Sequence, residues 1–200
     1  MQADKYLTFL LGPAHSGKSA EAISLAGDKL DTLVIGMANI QHPLMQSRVE
    51  SLKASRPAHW QHVDQPGDLP AFLYAAANAH EQIILDSLNL WLAHLTVQWQ
   101  SGQASRSAID LVHLLNSECD RMVDALKRSR DAAGGTRLIV IGAEMGASPS
   151  PPVETERSFR EANGKLNRAI ASFADRVILM TAGIPTVLRT NVHNQSQIGG

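Results

Sequence analysis

One octapeptide near the start of the chain limits what the rest can fold into. Gly12-Pro13-Ala14-His15-Ser16-Gly17-Lys18-Ser19 fits the pattern G-x4-G-K-[ST] in full. It stands between an apolar run, Tyr6–Leu11, and a stretch beginning Ala20-Glu21-Ala22-Ile23 that reads as helix. Strand, glycine-rich turn and helix in that order aim a row of backbone N–H groups at one point, and the helix amino end adds a favourable dipole for an anion. The glycines let the backbone close around a phosphate chain. In such a loop Lys18 reaches the β- and γ-phosphates, and the Ser19 hydroxyl ligates Mg²⁺. His15 occupies a variable position, to which the motif gives no task. All eight residues are expected to line a nucleotide site.

The remaining pattern is one of short apolar runs alternating with helix-period stretches. Strands are expected at Tyr6–Leu11, Thr32–Met37, Gln82–Asp86, Arg137–Ile141 and Arg176–Met180. Runs such as Leu138-Ile139-Val140-Ile141 are continuous, which suits strands covered on both faces of a parallel sheet. Ser107–Arg130 carries Ala108, Leu111, Val112, Leu115, Cys119, Met122 and Leu126 as one apolar stripe, and Phe159, Ala162, Leu166, Ile170 and Phe173 make a second. Ser107 with Asp110 three residues on reads as a helix start, and Gly134-Gly135 as its stop. The expected class is α/β with a mainly parallel central sheet flanked by helices.

A phosphate loop needs an acidic partner for the magnesium shell. Asp86 ends an apolar strand expected beside the first one and fits that role; it also suits a cap for the helix Ser87–Trp99. Glu144, just past the strand Arg137–Ile141, is a second candidate, balanced against a solvated loop carboxylate. The proline-rich stretch Ala147-Ser148-Pro149-Ser150-Pro151-Pro152 follows that strand, at the end of the sheet where ligands bind in open α/β folds.

Composition narrows the function. Lys plus Arg is 18 and Asp plus Glu 19, a net charge of −1, so a broad electrostatic grip on nucleic acid or an anionic membrane is not expected. Aromatic residues make up only 4%, too few for a base-stacking platform. Cys119 is the single cysteine; it cannot form an internal disulfide and reads as a small buried hydrophobe. No segment approaches the ~18 consecutive apolar residues of a membrane span. The apolar run before Gly12 is shorter than the ~7–15 residues of a signal peptide core, so a cytoplasmic protein is expected. The 200 residues suit one domain, read here as 1–188 with a polar, frayed tail over 189–200.

Beyond the loop the chain resembles the adenosylcobinamide kinase/adenosylcobinamide-phosphate guanylyltransferase family of cobalamin biosynthesis. Arg48, Lys53 and Arg56-Pro57-x-x-Trp60 resemble its R…H-[RK]-x-x-R-P-x-x-W segment. Asp86-Ser87-Leu88-x-x-Trp91-Leu92-x-x-Leu95 resembles its second acidic motif. Arg157-x-Phe159-Arg160-Glu161-x-x-Gly164-x-x-Asn167 resembles its R-x-F-R-D-x-x-G-x-x-N-Q helix, and Ala174-Asp175-x-Val177 with Gly183 its closing strand and turn. The resemblance runs from about Tyr6 to Val187. It implies a RecA-like phosphate-loop domain, a homotrimer, and a corrinoid bound in a cleft between subunits. It also implies two activities: phosphorylation of the corrinoid's aminopropanol hydroxyl from ATP or GTP, and GMP transfer through a guanylylated histidine. Arg48 and Arg56 become expected nucleotide contacts, and Lys18, Asp86 and Glu144 the expected catalytic set, with Ser19 and Asp86 on the metal.

The departures fall in one segment. The family's nucleophilic histidine precedes the Lys/Arg of the R-P-x-x-W stretch, where this chain has Leu52. Leucine has no nitrogen to form a phosphoramidate. By position, His42 and Leu44 replace an acidic pair, and His62 and Asp64 replace a threonine and a glutamate. His42, His59 and His62 read as ordinary surface histidines. The expectation is a corrinoid kinase whose guanylyl transfer is in doubt. The alternative keeps the nucleotide site and loses the turnover, as a regulatory or structural protein. A RecA-like nucleic-acid motor is disfavoured by the charge and the few aromatics.

Overall fold

A computed structural model of the chain describes residues 6–38, 43–101, 107–131, 136–146 and 149–191, with the side chains of 43–45 and 48 excepted. The elements in chain order are β1 (Leu7–Leu11), α1 (Lys18–Ala26), β2 (Thr32–Gly36), α2 (Pro43–Ala54), β3 (Gln61–Asp64), α3 (Leu69–Ala76), β4 (Gln82–Asp86), α4 (Leu88–Ser101), α5 (Ala108–Asp131), β5 (Arg137–Ile141), α6 (Glu154–Phe173), β6 (Arg176–Thr181) and β7 (Ile184–Thr190).

The seven strands form one sheet in the order β3-β2-β4-β5-β1-β6-β7. All neighbours are parallel except β6 and β7, which form an antiparallel hairpin. Because strand side chains alternate between faces, each continuous apolar run feeds two cores. Leu7, Phe9, Leu33, Ile35, Ile83, Leu85, Leu138 and Val140 pack into the larger cluster with residues of α3, α4, α5 and α6. Leu10, Val34, Ile84, Ile139 and Ile178 point the other way, onto Ala22 and Ala26 of α1. Fully burying each such side chain contributes about 1.5–3 kcal/mol.

All five expected strands are present, with ends within one residue. The helix expected over Ser107–Arg130 is α5, and its start is a reciprocal cap: Ser107 N–H donates to Asp110 Oδ2 at 2.9 Å and Asp110 N–H to Ser107 Oγ at 3.3 Å. Gly134-Gly135, Ala147-Ser148 and most of the linker at 100–105 lie outside the described residues. Cys119 is buried at 2% exposure, and burial pushes its thiol pKa up to about 12, so it behaves as a hydrophobe.

Three features differ from expectation. β5 lies between β1 and β4, so Asp86 is two strands from the phosphate loop rather than beside it. β3 is an edge strand of four residues, Gln-His-Val-Asp, with too little apolar content to announce itself. β7 takes in Arg189 and Thr190 of the stretch read as tail, and Arg189 donates to the carbonyls of Ser172 and Ala174; residues 192–200 lie outside those described.

Candidate functional site

The phosphate loop turns at the carboxyl end of β1 and is built by its backbone. Gly12 has φ +151 and Gly17 φ +94, in the region that favours glycine. A Cβ on Gly12 would collide with the Met180 carbonyl oxygen and lie 2.7 Å from Ser16 Oγ. The loop is tied to its neighbours at both ends: Glu144 N–H donates to Gly12 O at 3.1 Å and Gly183 N–H to Ser16 O at 3.1 Å. Lys18 opens α1 and curls over the loop, with Nζ 2.9 Å from Gly12 O and 2.6 Å from Pro13 O. Its ammonium is thereby held at the loop's mouth.

A cavity of about 400 Å³ opens there. It is lined by Pro13, Ala14, His15, Ser16, Gly17, Lys18 and Ser19, and across from them by Arg56, Asp86 and Glu144. Gly12 lies buried beneath the loop. Eleven of the twelve expected site residues therefore belong to one place: the ten named in the lining and Gly12 below them. The exception is Arg48, which sits in α2 and whose side chain lies outside the described residues. His42 lies outside them as well. Leu52 of α2 also lines the cavity.

The far wall holds a chain of four side chains that sequence reasoning did not assemble. Lys53 Nζ donates to Asp64 Oδ2 at 3.0 Å, and Asp64 Oδ1 is 2.6 Å from His62 Nε2. His62 Nδ1 is 2.9 Å from Arg56 Nη1. A guanidinium only donates, so Nδ1 must accept and Nε2–H must donate to Asp64, which fixes a neutral imidazole and its tautomer. Burial lowers the pKa of His62 in agreement, against the pull of Asp64. Burial opposes ionisation of Asp64, but hydrogen bonds from Lys53 and His62 outweigh it and bring its pKa below the usual carboxylate value. Arg56 is lowered by burial, with Asp86 and Asp64 opposing. Its Nε is buried without a hydrogen-bond partner. Gly36 of β2 makes room for this chain, since a Cβ there would meet Asp64 Oδ1 at 2.8 Å. His62 is thus not the surface histidine expected; its side chain is 19% exposed and both ring nitrogens are engaged, whereas His59 is exposed. The available signal was the alternation His62–Asp64 on one face of a short strand.

Glu144 follows β5, with Oε1 accepting from Gly146 N–H at 2.6 Å. The peptide before it is clamped from behind: the Ala143 carbonyl accepts from Asn163 Nδ2 and Asn167 Nδ2 of α6, both at 2.9 Å. These two asparagines, one helical turn apart, are nearly buried. In the sequence, Asn167 stands out only as part of the resembled motif Arg157–Asn167.

A hydroxyl (Ser19) and a carboxylate (Asp86) lining one cavity are hard oxygen donors, the set that Mg²⁺ takes alongside phosphate oxygens. The donor chemistry therefore fits the ion that the loop implies.

Comparison with known proteins agrees with this geometry. The profile of the cobinamide kinase / cobinamide phosphate guanyltransferase family matches residues 8–188. The bifunctional adenosylcobalamin biosynthesis protein CobP of Pseudomonas aeruginosa is 31% identical over 181 residues, covering 90% of this chain and 95% of that one. The CobU proteins of Escherichia coli K12 and Salmonella typhimurium LT2 are each 26% identical, covering 89% of this chain and 97% of their own. Among solved structures, an ATPase of a bacterial type III secretion system superposes with a TM-score of 0.54 at 12% identity, covering 88% of this chain and 52% of that one; it shares the fold. The chain belongs to the cobinamide kinase / cobinamide phosphate guanyltransferase family.

Proposed function

We propose that this protein phosphorylates a corrinoid alcohol from ATP or GTP, and that it does not transfer guanylate through position 52. The observation that carries the first half is the convergence of Lys18, Ser19, Asp86 and Glu144 on one cavity over an intact phosphate loop. The second half rests on Leu52 in that same cavity, a side chain with no lone pair to attack phosphorus.

In this reading the loop amides and Lys18 hold the transferring phosphoryl group and stabilise the charge on its oxygens. Ser19 and Asp86 would hold Mg²⁺, which supplies neutralisation of phosphate charge. Arg56, steadied by His62, adds a guanidinium on the opposite wall. The corrinoid hydroxyl oxygen bonds to the γ-phosphorus as the bond to the leaving diphosphate oxygen breaks. The hydroxyl proton passes to a carboxylate, and Glu144 is favoured over Asp86, which serves the metal. Because the transition state is loose, a weak base suffices.

The test is transfer of label from γ-labelled nucleotide to adenosylcobinamide. Transfer is expected in the wild type, with a loss of about 10²–10³-fold in kcat for Lys18→Ala. Full activity of Lys18→Ala would remove the loop from the mechanism. Tight nucleotide binding with no transfer by the wild type would favour a regulatory binder.

A further inference from the structure

Arg56 lines the same cavity as Lys18 and the phosphate loop, with only part of its guanidinium engaged. Among the described residues it makes one hydrogen bond, from Nη1 to His62 Nδ1 at 2.9 Å. Its Nε is buried with no partner. A bond from Nη1 leaves the edge formed by Nε–H and Nη2–H whole. Those two donors lie parallel in the plane of the group, which is the fork that grips two oxygens of one phosphate.

Two carboxylates act on that charge, Asp86 and Asp64, and a direct ion pair with either would spend it. Asp64 is taken up elsewhere, by Lys53 Nζ at 3.0 Å and His62 Nε2 at 2.6 Å. His62 stands between Asp64 and the guanidinium as a neutral ring. It accepts from Arg56 without adding a negative charge, so the cation stays available to an anion.

The ring is enclosed by named groups. The charges that face it are Lys53 of α2, Arg56 just beyond that helix, and Asp64 on its own strand. β2 presents only Gly36, where a Cβ would lie 3.1 Å from His62 Cε1. Asp86, at the end of β4, acts on Arg56. A second ring proton, on Nδ1, would set an N–H against a guanidinium N–H and a cation against a cation. Burial favours the neutral ring.

We propose that His62 is a positioning residue for the nucleotide: by accepting at Nδ1 it turns the Nε–Nη2 edge of Arg56 to a phosphate of the bound nucleotide, and protonation of the ring releases that edge. Arg56 makes the contact; His62 acts through it. This rests on the reading above that the phosphate-loop cavity holds the nucleotide.

The experiment is a double-mutant cycle on the full chain, read by binding of a fluorescent non-hydrolysable GTP analogue at about pH 7.5. His62→Leu is expected to weaken binding about tenfold in the wild-type background. Beside Arg56→Ala it is expected to cost nothing further, because no guanidinium is left to position. His62→Gln, which keeps an acceptor and a donor, is expected to recover most of the loss. From about pH 7.5 to about 5.5 the wild type should lose affinity more steeply than His62→Gln. The analogue's phosphates and His15 of the loop titrate in both proteins and drop out of that comparison. Unchanged affinity of His62→Leu would overturn the proposal. So would an equal loss in both backgrounds, which would mean a disturbed wall, or parallel pH slopes for wild type and His62→Gln. Should His62→Leu fail to fold, the slopes of wild type and His62→Gln decide alone. Lys18→Ala binding the analogue as tightly as wild type would sink the nucleotide reading, and the proposal with it. A cycle that closes as expected in a protein that transfers no γ label would sink the kinase reading alone and leave the role of His62 standing.

Discussion

The phosphate loop and the α2–β3 segment wall the same cavity, yet they are held in different ways. The loop is a backbone structure: positive φ at Gly12 and Gly17, a buried Ser16, and peptide bonds to Glu144 and Gly183. The α2–β3 wall is a side-chain structure, running Lys53–Asp64–His62–Arg56 with Leu52 beside it. A backbone site depends on a few glycines and tolerates change elsewhere. A side-chain site can lose one reacting group while the rest stays ordered. The proposed function assigns kinase chemistry to the first kind of wall, while Leu52 offers the second no nucleophile.

Gly12→Ala should separate the two walls most sharply. Its methyl group would strike the Met180 carbonyl and Ser16, in a backbone region costly for alanine. Stability is expected to fall by about 1–3 kcal/mol in chemical denaturation, with phosphoryl transfer lost. An active, undiminished Gly12→Ala protein would mean the loop is not held as described.

Arg56→Ala tests the side-chain wall and should cost less. Removing a charged donor is expected to weaken nucleotide binding roughly tenfold to hundredfold, leaving the loop and the melting temperature nearly intact. Unchanged nucleotide affinity would reduce Arg56 to a partner of His62.

The smallest effect is a pH dependence. His62 has a lowered pKa, so as pH falls below about 6.5 the unfolded chain takes up its proton before the folded one does. Stability from this group is therefore present at neutral pH and is lost as pH falls. Asp64, also lowered, acts in the same direction at more acidic pH. His62→Gln keeps one acceptor and one donor and cannot titrate. Its melting temperature should fall less than that of the wild type between pH 7 and pH 5; identical slopes would contradict the neutral relay.

Much of the loop side was legible in the sequence because its signals are local. The octapeptide, the apolar runs of β1, β4 and β5, and the Ser107–Asp110 cap each lie within a few residues. The failures were of two kinds. β3 and β7 are edge strands, and their burial patterns, one of partly exposed and one of mostly exposed residues, lack the continuous apolar run that marks a covered strand. The place of Asp86 depends on strand order, and no local pattern says that β5 inserts between β1 and β4. The Asn163–Asn167 clamp was invisible for the same reason: two asparagines one helical turn apart read as polar surface until α6 is laid against the end of β5.

The most direct test of the contrast between the two walls is GTP labelled separately at the α- and γ-phosphates, incubated with protein and adenosylcobinamide. The proposed function requires γ label on the corrinoid and no acid-labile α label on the protein. Acid-labile α label on the protein would contradict it, because a nucleophile would then survive on the wall where Leu52 stands.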